Sequence, residues 1–230
     1  MREYVKNWSP ALGRDMELLV FGGGGLPVLI FPTSEGRFYQ WEDFGMVDAL
    51  RDRTDAGFIQ LWCVDSVDSE SWYDRGRSPQ QRVERHLDYE RYLVEELIPR
   101  MPERPVAAGS SLGAFHAILL ALRRPESLRG FIALSGAVDT GRFLDGDLSG
   151  PAYYASPLAF LPDLHDEAVL GPLRGMEKKV IASGEEDTNL HEVEQVAKHL
   201  LDRGVDVAFD RWPGWAHDWP YWKEMMRAYI

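Results

Sequence analysis

The sequence predicts an α/β fold built on one mostly parallel sheet of eight strands with helices on both faces. Three observations predict it. Most of the strand-like segments are apolar throughout instead of alternating, the pattern of strands buried on both sides. From the fourth strand onward helical patterns lie between them, and strands linked by helices wind right-handed into a parallel, doubly wound sheet. The length of 230 residues suits a single domain over 1–230, because one core grows to roughly 250 residues before chains divide.

Strands are expected at residues 4–8, 16–21, 28–31, 58–64, 106–108, 130–135, 180–183 and 205–211. The first three have no helices between them and are joined by turns at 10–14 and 22–25, so they are expected to form an antiparallel edge, with the glycine run 22–25 as a hairpin turn. That run leads into Leu26-Pro27 and a strand, whereas a phosphate-binding turn leads into a helix.

A helix begins at Ser78-Pro79-Gln80-Gln81, a capping box with proline at the first helical position. Val83, Leu87, Val94, Leu97 and Ile98 recur at helical spacing, and Pro99 and Pro102 close the segment. A second helix covers 112–122. A third starts at Asn189 with Glu192 three residues on, carries Leu190, Val193, Ala197, Leu200 and Leu201 on one side, and stops at Gly204. The last is capped by Asp218 with Pro220 in its first turn. Residues 139–175 show neither period, are rich in Gly, Pro and Tyr, and read as an insertion over the active site.

Composition narrows the partners. A net charge of −12 and a pI near 4.9 repel phosphate backbones, which argues against nucleic acid. The longest apolar stretch, 114–122, contains His116 and falls short of the roughly 20 residues a membrane helix needs. The polar start Arg2-Glu3-Tyr4-Val5-Lys6-Asn7 is unlike a secretory signal, so a cytoplasmic location is expected. Cys63 is the one cysteine, so no internal disulfide or cysteine-based metal cluster forms, and its apolar surroundings mark a core thiol. His86, His165, His191 and His199 have no partner at metal-ligand spacing; no metal site and no cofactor are expected. Homo-oligomerisation is left open.

The chemistry centres on Gly109-Ser110-Ser111-Leu112-Gly113, a G-x-S-x-G between an apolar strand and an apolar helix. In this turn, the nucleophile elbow of the α/β-hydrolase fold, a strained backbone lifts the serine hydroxyl above the sheet, and the glycines are small because strand and helix pack closely there. Ser111 alone has glycine two residues before and after it; the structural alternative is that Ser110 and Ser111 merely cap the helix. A serine hydroxyl needs a base and an orienting carboxylate. Asp187 follows the seventh strand in Gly184-Glu185-Glu186-Asp187, and His217 follows the eighth in Trp212-Pro213-Gly214-Trp215-Ala216-His217. Asp187 is preferred to Glu185 and Glu186 for its shorter side chain, and Asp139, after the sixth strand, is the reserve acid. His116 reads as a packing or hydrogen-bonding residue.

One oxyanion donor is the amide of Leu112, the residue after the nucleophile. The second is expected from the loop after the third strand, at Ser34 or Glu35. Asp65 and Asp68, at the end of the fourth strand, read as loop-capping carboxylates before cation or substrate ligands.

These residues resemble the putative-esterase family of α/β-hydrolases, which also holds esterase D and the antigen 85 proteins. The likeness rests on Phe31-Pro32-Thr33-Ser34, Asp65-Ser66-Val67-Asp68, Gly109 to Ala117, Ala133-Leu134-Ser135-Gly136 and His217-Asp218-Trp219-Pro220. It implies the same Ser111, Asp187 and His217. Gly36 is not preceded by histidine, so the His-Gly oxyanion loop common in carboxylesterases is missing.

The expected function is therefore that of a serine esterase acting through an acyl-enzyme on a small or medium ester. The alternatives are an acyltransferase with the same triad and a non-catalytic binding protein on the same fold. Phe38, Trp72, Tyr73, Tyr153, Trp215 and Trp219 are expected to wall the substrate pocket.

Overall fold

The computed structural model describes residues Met1–Ile230. Its strands are β1 (Arg2–Ser9), β2 (Arg14–Phe21), β3 (Leu26–Phe31), β4 (Ile59–Val64), β5 (Val106–Ser110), β6 (Gly130–Leu134), β7 (Lys178–Gly184) and β8 (Ala208–Trp212). They form one sheet in the order β1-β2-β4-β3-β5-β6-β7-β8. β1 and β2 pair antiparallel, as do β2 and β4, and every pair from β4 to β8 is parallel.

The order corrects the expected edge. β3 does not continue an antiparallel meander: β4 lies between it and β2, and β3 pairs parallel with β4 and β5. Residues 22–25 are therefore a crossing and not a hairpin. Gly25 (φ 89°) passes so close to the start of β4 that a Cβ would stand 2.4 Å from the Gly57 carbonyl oxygen. Burial explains the exchange, because every β3 side chain from Pro27 to Phe31 is buried, and such a strand needs a covered place in the sheet. β8 also starts later than expected. Val205 and Val207 are buried core residues ahead of it, whereas the strand itself is largely exposed at the far edge.

Helices α1 (Gln40–Asp43), α2 (Met46–Ala49) and α3 (Arg51–Asp55) are short, and α4 (Pro79–Arg91) is followed by α5 (Leu112–Arg123). After them come α6 (Pro151–Tyr154), α7 (Pro157–Phe160), α8 (Glu167–Gly175), α9 (Leu190–Asp202) and α10 (Trp219–Tyr229). Strand residues divide alternately between two cores. Leu29, Phe31, Phe131 and Ala133 join a large cluster with α4, α5 and α9; Val28, Ile30, Ile132 and Leu134 join a smaller one with Trp41, Met46, Trp222 and Met226. Helices thus cover both faces.

The capping box at Ser78 forms as expected, with Ser78 and Gln81 bonding each other's backbone amides. The cap expected at Asn189 does not. Asn189 has helical backbone angles and makes no side-chain cap; its own amide donates to Asp187 Oδ1 at 2.9 Å. Glu192 turns away to accept from the amides of Val138 and Asp139. Segment 139–175 is largely helical, and only its start reaches the cleft described below, while α7 and α8 pack along α5.

Candidate active site

β5 ends at Ser110, and Ser111 turns the chain into α5 with φ 56° and ψ −120°. An L-residue holds such angles only when its surroundings over-determine them. They do: the Ser111 amide donates to Leu134 O at 2.9 Å, and its carbonyl accepts from Ala137. The flanking glycines cannot be larger. A Cβ on Gly109 would lie 2.4 Å from the Gly113 backbone, and one on Gly113 would lie 2.6 Å from the carbonyl oxygens of Phe31 and Pro32. The neighbouring Ser110 hydroxyl is fully buried and has no partner.

The ends of β7 and β8 bring two further residues to the same edge. His217 Nε2 stands 3.3 Å from Ser111 Oγ, and its Nδ1 stands 2.9 Å from Asp187 Oδ2. A carboxylate accepts and does not donate, so Nδ1 carries the proton and Nε2 is left to accept from the serine. Asp187 is buried, whereas Glu185 and Glu186 point to solvent. Burial opposes its ionisation, but bonds from His217, the Asn189 amide and the Ser183 hydroxyl outweigh that, so its pKa lies below the ordinary carboxylate value. Asp139, the reserve acid, instead caps a short 3-10 turn by accepting from the Gly141 amide.

The Leu112 amide opens α5, where first-turn donors have no partner within the helix. The loop from Thr33 to Phe38 is pinned from several sides. Gln40 bonds the Thr33 amide and hydroxyl, Ser66 Oγ donates to Gly36 O at 3.0 Å, and Asp65 Oδ1 accepts from Arg37 Nε at 2.7 Å. Ser34 and Glu35 form its tip. Ser34 lines the cleft beside Ser111, while Glu35 (φ 53°) is not among the lining residues.

That cleft has a volume of about 350 Å³. Tyr73 and Trp215 line it as the sequence suggests, joined by Ala137, Arg142, Phe143, Thr188 and Asn189, which sequence reasoning missed. Four expected wall residues lie elsewhere. Trp72 is wholly buried against His86 and Phe115, and Phe38 packs on Tyr4 and Tyr39 near the sheet edge. Trp219 is buried between Phe44 and Trp222. Tyr153 lines a separate cleft of about 530 Å³ with Leu122 and Arg123, at the opposite end of α5 from Ser111. These rings are near the loops in sequence but pack into the core or face other surfaces.

His116 is buried and bonded to Asp68 at 2.9 Å, and Asp65 bonds Arg37. Neither acid joins a cluster suited to a metal ion. No helix is long and apolar enough to cross a membrane.

A family model described as putative esterase matches residues 9–229. Solved structures share the fold at low identity. A ferulic acid esterase superposes with a TM-score of 0.77 at 17% identity, covering 99% of this chain and 95% of that one. An S-formylglutathione hydrolase from Staphylococcus aureus gives 0.69 at 16%, covering 99% and 96%. MPT51 from Mycobacterium tuberculosis gives 0.69 at 16%, with coverage of 99% and 96%. No curated protein sequence matches the chain.

Proposed function

We propose, from the premise that this chain belongs to the putative-esterase family, that it hydrolyses small carboxylic esters through an acyl-enzyme on Ser111. The observation that carries the reading is the continuous chain of contacts from Ser111 Oγ to His217 to the buried Asp187, with Ser111 and His217 lining a cleft.

In the proposed cycle the Ser111 hydroxyl passes its proton to His217 Nε2 as its oxygen attacks the ester carbonyl. The tetrahedral oxyanion is held by the Leu112 amide and, from the opposite loop, the Ser34 amide. Asp187 stabilises the imidazolium, which then protonates the departing alkoxide. Water repeats the sequence on the acyl-enzyme and releases the acid. Ser111 and His217 are both partly open to solvent, which gives water access to the acyl-enzyme.

A cleft of about 350 Å³, near the lower end of the usual range for ligand sites, suits a compact acyl group. Long chains would have to displace Phe143 or Tyr73. The test is a series of p-nitrophenyl esters of rising acyl length, assayed with wild type and Ser111→Ala. kcat/KM peaks at short chains and falls beyond about eight carbons, each methylene that fits contributing roughly 1–3 kcal/mol at most. Activity retained by Ser111→Ala, or a preference for palmitoyl esters, overturns the reading.

A further inference from the structure

We infer that Ser135 is a positioning residue that ties the proposed nucleophile and base into one unit; this rests on His217 acting as the base. Ser135 follows β6 and is fully buried with φ 51°. Glycine would hold that angle at less cost, so the position retains a hydroxyl despite the strain. The hydroxyl has two partners. It donates to Ala216 O at 3.2 Å and accepts from Trp222 Nε1 at 3.1 Å. Ala216 is itself buried, at φ 45°, and is the residue before His217.

The residues around Ser135 hold the other partner. Leu134 O accepts from the Ser111 amide, the Ala137 amide donates to Ser111 O, and the Ser135 amide reaches Ala182 O on β7 at 2.7 Å. Within one stretch of four residues, Leu134 and Ala137 therefore grip the backbone of Ser111 on both sides, and Ser135 between them holds the carbonyl that precedes His217. Trp222, which donates to the same hydroxyl, also sets its ring edge-on to the His217 ring, with centroids 5.2 Å apart. Three left-handed non-glycine residues, Ser111, Ser135 and Ala216, meet through these bonds. Strain persists where neighbours over-determine it, and here the Ser135 hydroxyl ties Ala216 to the segment whose Leu134 and Ala137 backbone groups hold Ser111. Without it Ala216 O loses its donor, and the loop carrying His217 keeps its ties to the end of β7, from Glu185 and Glu186 to Trp212 and Gly214, but loses its tie to the segment that holds Ser111.

A reactive pair misplaced by about 1 Å can lose on the order of 100-fold in rate. Ser135→Gly is the leading variant, since it removes the hydroxyl while relieving the backbone. With p-nitrophenyl acetate its kcat is expected to fall about 10- to 100-fold with KM within about twofold, and fluorophosphonate labelling of Ser111 is expected to slow in proportion. The low-field proton resonance of the His217–Asp187 bond is expected to shift or broaden. Trp222→Phe, which removes one donor but leaves the bond to Ala216, should lose less kcat than Ser135→Gly. A Ser135→Gly enzyme with kcat and the low-field resonance as in wild type overturns the inference, as does Trp222→Phe losing more than Ser135→Gly. If His217→Ala keeps wild-type activity, it is the reading of the base that fails; if His217→Ala is inactive and Ser135→Gly is not impaired, only the present inference fails.

Discussion

Asp187→Asn separates the charge of the proposed acid from its shape. In the wild type Oδ1 accepts from the Asn189 amide at 2.9 Å, while Oδ2 accepts from His217 Nδ1 at 2.9 Å and from Ser183 Oγ at 3.0 Å. The Asn189 amide needs an acceptor, so the new side chain must present its oxygen there and its NH2 group to His217. The Ser183 hydroxyl can rotate to accept from that group; His217 can accept only by moving its proton from Nδ1 to Nε2. Nε2 then faces Ser111 as a donor and cannot take the serine proton. Reversing the tautomer of a catalytic histidine costs about 10⁴ in kcat, close to 5.5 kcal/mol of barrier at 1.36 kcal/mol per decade. The assay is steady-state hydrolysis of p-nitrophenyl acetate, with active sites counted by slow fluorophosphonate labelling so that inactive protein is not mistaken for slow protein. A loss of less than about tenfold would refute both the tautomer argument and the assignment of Asp187 as the acid.

Three further outcomes are expected. Ser110→Ala removes a buried hydroxyl that has no partner, so urea unfolding should find it as stable as wild type or more stable by up to about 1 kcal/mol, with activity kept. Trp72→Ala should lower stability by about 3–5 kcal/mol through its core cavity, whereas Trp215→Ala, at a half-exposed ring on the cleft, should mainly change KM; the opposite pattern would restore Trp72 to the substrate wall. Burial, helped by the neighbouring His116, holds the His86 imidazole well below its ordinary value of 6.5. The unfolded chain therefore binds the extra proton first, so His86 costs stability as pH falls below about 6.5 and costs nothing above it. The cost grows by up to about 1.4 kcal/mol per pH unit, and His86→Phe should flatten the slope of unfolding free energy between pH 5 and 7 by up to one proton; equal slopes would show that His86 is not held neutral.

The elements written in local pattern were legible. Apolar runs mark most of the strands, Ser78-Pro79-Gln80-Gln81 marks a helix start that forms as read, and the glycines at 109 and 113 announce a close approach that the backbone contacts bear out. Spacing along the chain also brought Ser111, Asp187 and His217 forward as candidates, because the loops after parallel strands open on one edge of the sheet. Register across the sheet was less legible. The exchange of β3 and β4 depends on which strand needs cover on both faces, and a short glycine linker reads the same whether it makes a hairpin or crosses a neighbouring strand.

What the sequence by itself determined is the kind of fold, its eight strands, and a serine, an acid and a histidine at the ends of three of them, since periodicity and chain order are local properties. Only the tertiary structure decided which rings face the cleft, which of Ser34 and Glu35 lines it, and that Ser135, itself accepting from Trp222, donates to the carbonyl before His217. The physical reason is direction. A side chain's position in sequence limits its reach to a few ångströms around its own backbone, but the surface it meets is set by helices and strands distant in the chain. Trp72 and Tyr73 are adjacent residues, and one is sealed in the core while the other lines the cleft.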